Sequence, residues 1–97
     1  MPVYLIIDIA IIDQEVYAEY VEQVAGVVEK YGGTYLVRGG EVFPVAGDWH
    51  PERIVIVEFE SLEQVQEFYA SPEYLALAPL REESSSIRAV ITEGFEP

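Results

Sequence analysis

From Val3 to Ile12 nearly every position is apolar and several are β-branched. A run of this kind predicts a strand covered on both faces. Leu5, Ile7 and Ile9 fall on one face, while Tyr4, Ile6 and Asp8 fall on the other. The pattern then changes period. Val16, Tyr17, Tyr20, Val21, Val24, Val27, Val28 and Tyr31 recur at spacings of three and four, behind Asp13 as N-cap and Glu15 in the first turn. That periodicity predicts an amphipathic helix of about five turns, closed by Gly32 or Gly33.

Thr34 to Arg38 reads as a second short strand, with Glu41 to Val45 as an extension past a bulge at Gly39-Gly40. Pro44 and Gly47 break the pattern, and a loop runs on through Asp48, Trp49, His50 and Pro51. Arg53 to Glu60 alternates most clearly: Val55, Val57 and Phe59 face one way, Ile54, Ile56 and Glu58 the other. Ser61 with Gln64 forms a capping box ahead of Leu62, Val65, Phe68 and Tyr69. Ser71-Pro72-Glu73 restarts a helical turn, which Pro79 is expected to kink or end between Leu77 and Arg81. The Ser84-Ser85-Ser86 run reads as a link to a last strand, Ile87 to Glu93, and Phe95 is expected to lie over a neighbouring surface.

Strand, helix, strand, strand, helix, strand with short right-handed connections gives an α+β ferredoxin-like βαββαβ fold. Its four-stranded antiparallel sheet carries the helices on one face. The bare face would hold Tyr4, Ile6, Leu36, Ile54, Ile56 and Val90, and exposing it costs roughly 25 cal/mol per Å². Packing two copies sheet to sheet would hide it, so a homodimer is expected.

Composition sharpens this reading. The 97 residues, 51% of them hydrophobic, make one domain over 1–97 with more apolar surface than a thin helical layer covers. Eighteen acidic residues against five basic ones give a formal net charge of -13, which argues against a nucleic-acid partner. No stretch is long enough to span a bilayer, and the start lacks a basic signal region. The absence of cysteine removes disulfides and thiolate ligands and fits a cytoplasmic location.

The run Tyr31-Gly32-Gly33-Thr34-Tyr35-Leu36-Val37-Arg38-Gly39-Gly40 leads a series of motifs in fixed order. Gly47-Asp48-Trp49 with Pro51, Val57-Glu58-Phe59, and Tyr69-Ala70-Ser71-Pro72-Glu73-Tyr74 with Arg81 come after it. Together they resemble the domain-of-unknown-function family thirteen-thirty, of the dimeric α/β-barrel superfamily, across nearly the whole chain. The resemblance implies a ferredoxin-like protomer, a homodimeric barrel and a cavity in each protomer, and it supplies no activity. Superfamily relatives include cofactor-independent monooxygenases, isomerases, haem-degrading enzymes and sensor domains.

Strand parity puts Asp8, Arg38, Glu58 and Arg88 together on the face away from the helices, in one largely apolar chamber. There Arg38 would anchor a carboxylate or enolate and Glu58 would act as general base. The same Arg38 and Glu58 could instead pair with each other to pin register, and a bulge at Gly39-Gly40 would change the facing of the residues after it. Trp49 and His50 lie in a loop that could lid the chamber. Tyr69, Ser71 and Tyr74, carried over from the family motif, could orient a polar ligand, or simply cap and pack. One histidine and no cysteine offer no tight metal-ligand spacing, so neither a metal nor a cofactor is expected. Three functional readings stay open: a cofactor-independent enzyme moving a proton on a small oxygenated metabolite, a non-catalytic small-molecule-binding or sensing dimer, and an interaction protein with a closed cavity.

Overall fold

A computed structural model describes residues 1–96. The elements run β1 (Val3–Ile11), α1 (Gln14–Lys30), β2 (Thr34–Arg38), β3 (Arg53–Phe59), α2 (Leu62–Ala70), α3 (Pro72–Ser84) and β4 (Ser85–Glu93). The sheet order is β2-β3-β1-β4 with every neighbouring pair antiparallel. The α+β ferredoxin-like architecture read from the pattern is the one found. Val3, Leu5 and Ile9 of β1 and Val55, Val57 and Phe59 of β3 are buried against Val24 and Val28 of α1, Val65 and Phe68 of α2, and Tyr74 and Leu77 of α3.

Local chemistry sets the helix ends. Asp13 accepts a hydrogen bond from the Val16 amide at 3.1 Å, satisfying a donor the first turn leaves free. At the other end Gly32 takes φ +87°, its amide donates to the Glu29 carbonyl, and the Gly33 amide donates to Val28 at 2.9 Å. This is a Schellman closure, in which glycine avoids the left-handed penalty. Gly33 is needed for a second reason: a Cβ there would lie 2.7 Å from Val28 and 2.9 Å from both Phe59 and Val57. Ser61 accepts from the Gln64 amide at 3.2 Å, while the Gln64 side chain reaches one residue further back, to the Glu60 amide at 3.0 Å.

Four expectations are corrected. The β2 bulge sits at Leu36, between the pairs Tyr35↔Val57 and Val37↔Ile56, and not at Gly39-Gly40. Glu41 to Val45 does not extend the strand, because Gly39 at φ +80° turns the chain away after Arg38. Pro79 neither ends α3 nor splits it. The roughly 3 kcal/mol that an interior proline costs is offset by packing on both sides of it, with Tyr74 and Leu77 buried before it and Ser84 fully buried after it. Ser84 and Ser85 accordingly make a buried corner: the Ser84 carbonyl accepts from the Ile12 and Asp13 amides at 2.7 and 3.1 Å, and β4 starts at Ser85 without a linker.

Candidate functional site

The Leu36 bulge decides where the charged residues go. One extra residue in β2 turns the later side chains of the strand to the opposite face. Val37 therefore pairs with Ile56 on the open face, and Arg38 pairs with Val55 and points to the helix side. The four-residue chamber of Asp8, Arg38, Glu58 and Arg88 does not form, and Arg38 and Glu58 stand on opposite sides of the sheet.

Asp8, Glu58 and Arg88 do share the open face, but as two groups. Asp8 accepts from the Trp49 indole N–H at 2.8 Å and from Arg88 at 2.7 Å. The indole bond, then the guanidinium, hold its carboxyl below the usual range. Glu58 lies beside Tyr4, four residues along β3 from Ile54, the partner of Asp8 and so about 13 Å away. Hydrogen bonding to Glu58 raises the pKa of the Tyr4 hydroxyl. Trp49 thus pins its loop to the open face and lids no chamber with Arg38. His50 is exposed, 3.7 Å from Asp48. Ser71 is a cap: it is buried, accepts from the Tyr74 amide at 3.1 Å and donates to the Phe68 carbonyl at 2.7 Å.

A cavity of about 50 Å³ lies on the other side, between sheet and helices. Aliphatic walls come from Leu5, Ile7, Ile9, Val24, Val55 and Val57, and hydroxyls from Tyr17, Tyr20, Tyr35, Tyr69 and Tyr74. Arg38, Arg53 and Arg81 supply positive charge, and no carboxylate among the described residues lines it. At roughly 10–15 Å³ per water, the enclosed room takes about four waters or a compact organic group.

The sequence reading passed over Arg53 and Arg81 as site residues, although parity held the signal for both. Arg53 precedes Val55 by two on a strand, and Arg81 comes four after Leu77 on a helix, so both share a face with core residues. The Arg53 guanidinium packs beneath Gly39, where a Cβ would come within 2.1 Å of it, and lies 5.3 Å from the Tyr17 ring centre. Arg38 lies 4.8 Å from the Tyr35 ring centre. Neither has an ion-pair partner among the described residues. Arg81 has only Glu82, 3.7 Å away and 70% exposed. The Nε atoms of Arg53 and Arg81 are buried with no hydrogen-bond partner among the described residues.

Burial raises the pKa of every cavity phenol that is shifted. Tyr69 is pushed up to about 12, chiefly by burial and then by Tyr74, while Arg81 pulls it back. Tyr20 rises further for the same first reason, and Tyr17 and Tyr35 rise less because Arg53 and Arg38 oppose their burial. These hydroxyls stay protonated at neutral pH and act as donors. Protonated phenols and guanidiniums in an apolar chamber can stabilise an anion. Among the described residues no three His, Asp or Glu groups are placed to hold a metal ion.

The family model described as "Domain of unknown function (DUF1330)" matches residues 2–95. The chain belongs to this family. Comparison with curated proteins returns no match. Among solved structures, the DUF1330 chain is similar to a protein of unknown function from Rhodopseudomonas palustris, at 20% identity and TM-score 0.82, over 99% of this chain and 84% of that one. It is similar to SnoaB, a cofactor-independent oxygenase from Streptomyces nogalater, at 10% identity and TM-score 0.75, over 99% and 95%. A dimeric protein of unknown function with a ferredoxin-like fold, from Bacteroides fragilis, matches at 16% identity and TM-score 0.66, over 96% of each chain. Identities this low establish a shared fold and carry no activity with them.

Proposed function

We propose that this DUF1330 chain is a homodimeric binder of a small organic anion, a carboxylate, phenolate or enolate, held between the sheet and the helices. One observation carries the reading: three of the four arginines line a single apolar cavity that no described carboxylate lines, and two of them keep a buried donor unmatched. Buried charge in a protein is normally paired. Arg38 is exposed and Arg53 and Arg81 are half-buried, so the cost falls on the two buried Nε atoms; a ligand that supplies their acceptors accounts for it, and a cavity closed for structural reasons alone does not.

Dimerisation through the open sheet face belongs to the same proposal. Val37 and Val90 remain 37% and 61% exposed there, beside Ile6, Ile54 and Ile56, and the Bacteroides fragilis relative of like fold is a dimer. Phe95, 89% exposed, touches little of its own chain and is free to reach a second copy. Sedimentation velocity should give a mass of two chains, and a stable monomer at micromolar concentration would remove this part of the proposal.

Turnover of the bound anion is the second reading, favoured by the fold shared with SnoaB. In that case guanidiniums and phenols would stabilise charge developing on an oxygenated substrate, and Glu58, on the far face, would not be the base. The binding reading is tested by thermal shift with short-chain carboxylates and enolates beside their neutral amides and ethers. Stabilisation confined to the anions is expected, about 2.7 kcal/mol at one hundred times Kd. Equal stabilisation by the neutral compounds, or none by any, would overturn it.

A further inference from the structure

We infer that the ligand has two acidic heads on a flat apolar spacer, one head bound by Arg38 and Arg53 and the other by Arg81; this rests on the anion-binding reading above. The cavity is flanked by two recesses, and each shares a different set of its walls. One recess includes Tyr17, Val21, Arg38 and Arg53 of the cavity lining. The other includes Leu5, Tyr69, Tyr74, Arg81 and Ile87. The guanidiniums therefore stand at the two ends of the enclosed space and not around its middle.

Topology fixes the separation. Arg38 and Arg53 lie on the adjacent strands β2 and β3, with Arg38 opposite Val55, so the two are diagonal neighbours on one face, roughly 7–8 Å apart at the backbone. Arg81 lies on α3, and its recess opens over β4. In the order β2-β3-β1-β4, the strands β2 and β4 are three spacings apart, about 14 Å. The side chains reach inward from both edges, leaving between them a span suited to a short unsaturated chain. Ile7, Val24, Val55, Val57 and Tyr20 form the walls of that span. The enclosed room of about 50 Å³ is a third of the roughly 150 Å³ of a benzene-binding cavity, so it takes a two-carbon unsaturated spacer whose heads extend into the recesses.

The two ends differ in what they offer. Arg38 and Arg53 form a doubly cationic end, whose recess also includes Glu22 and where the buried Nε of Arg53 lacks an acceptor. Arg81 adds its own unmatched Nε beside the hydroxyls of Tyr69 and Tyr74. Each end is one acceptor short. A molecule with a single acidic group could satisfy only one of them.

The test is calorimetric titration of the intact protein with fumarate and with its monoamide, fumaramate, which share length and double bond and differ by one charge. Fumarate should bind at least ~10-fold more tightly, the contribution of one charge-assisted contact. Arg81→Met should abolish that preference while leaving fumaramate within about 3-fold of its wild-type affinity, and Arg53→Met should weaken both. Equal affinity of the two probes for the wild-type protein would overturn the two-headed inference and leave anion binding standing. Binding of neither would overturn both. Should Arg81→Met fail to fold, Arg81→Gln replaces it, and the wild-type ratio decides by itself.

Discussion

Arg81→Met tests whether the cavity arginines serve the fold or a ligand, because the two answers move stability in opposite directions. The backbone at this position is kept: the Arg81 carbonyl, which accepts from the Ser84 and Ser85 hydroxyls at 3.3 and 2.8 Å, is unaffected by the side chain. Methionine and arginine have nearly the same helix propensity, and the long apolar stem is retained. What changes is the buried Nε without an acceptor, a defect of about 1–3 kcal/mol, set against roughly 0.3–1 kcal/mol lost by removing a cation from the last turns of α3. The pair with Glu82 is solvent-exposed on the acid's side and adds little. Unliganded Arg81→Met should therefore be more stable than wild type by about 1 kcal/mol, which is about 4–8 °C in Tm for a domain this size. Urea and thermal unfolding tracked by far-UV circular dichroism measure it. Destabilisation by more than about 1 kcal/mol would show that Arg81 holds the structure together and would refute the reasoning.

Three further outcomes are expected. Gly33→Ala should destabilise by about 1–3 kcal/mol in urea unfolding, since the new methyl meets Val28, Val57 and Phe59 at under 3.0 Å. Asp13→Ala should cost about 1 kcal/mol by the same assay through loss of the α1 cap. Glu73 bonds Lys30 and the Tyr31 hydroxyl, and the Lys30 bond, ahead of its own backbone amide, lowers its carboxyl to about 2. A depressed folded pKa gives stability that is present above the ordinary value of 4.5 and is lost as pH falls toward 2. The stability difference between wild type and Glu73→Gln should accordingly shrink across that window, and a difference independent of pH would contradict the assignment.

Periodicity made the fold legible because strands and helices here keep their period almost throughout. Both caps of α1, the Ser71-Pro72 restart and the parity of β1, β3 and β4 could be read residue by residue. The failures share one physical cause, tertiary contacts overriding a local signal. Nothing in Tyr35-Leu36-Val37 announces a bulge, and the glycine pair just after it is the stronger local signal for one, which put Arg38 on the wrong face. Pro79 ought to interrupt a helix, yet the buried corner at Ser84 holds α3 beyond it. Trp49 meets Asp8 across 41 positions of sequence, a contact no periodicity encodes. Arg53 and Arg81 were legible from their inward parity, but a charged side chain among core positions is ordinarily drawn out to solvent along its own stem, and here the tyrosine ring beside Arg53 and the close approach of Gly39 keep it in.

The arrangement of charge gives the cavity its meaning. A chain with eighteen acidic residues has no shortage of carboxylates with which to pair five basic ones. Outside the cavity each base has found one: Lys30 bonds Glu73, and Arg88 bonds Asp8. Inside it Arg38 and Arg53 have none among the described residues, and Arg81 has a single exposed neighbour at 3.7 Å. Scarcity cannot explain the contrast; Arg38 is exposed and open to water, but Arg53 and Arg81 are half-buried and each keeps a buried Nε without an acceptor, which strengthens the case for pairing. Three like charges brought toward one apolar space also repel one another, a cost the unliganded fold bears. An acceptor that enters from outside removes all of these costs together, and the surface, negative at long range and screened within about 8 Å at physiological salt, leaves the cationic interior to decide what is held there.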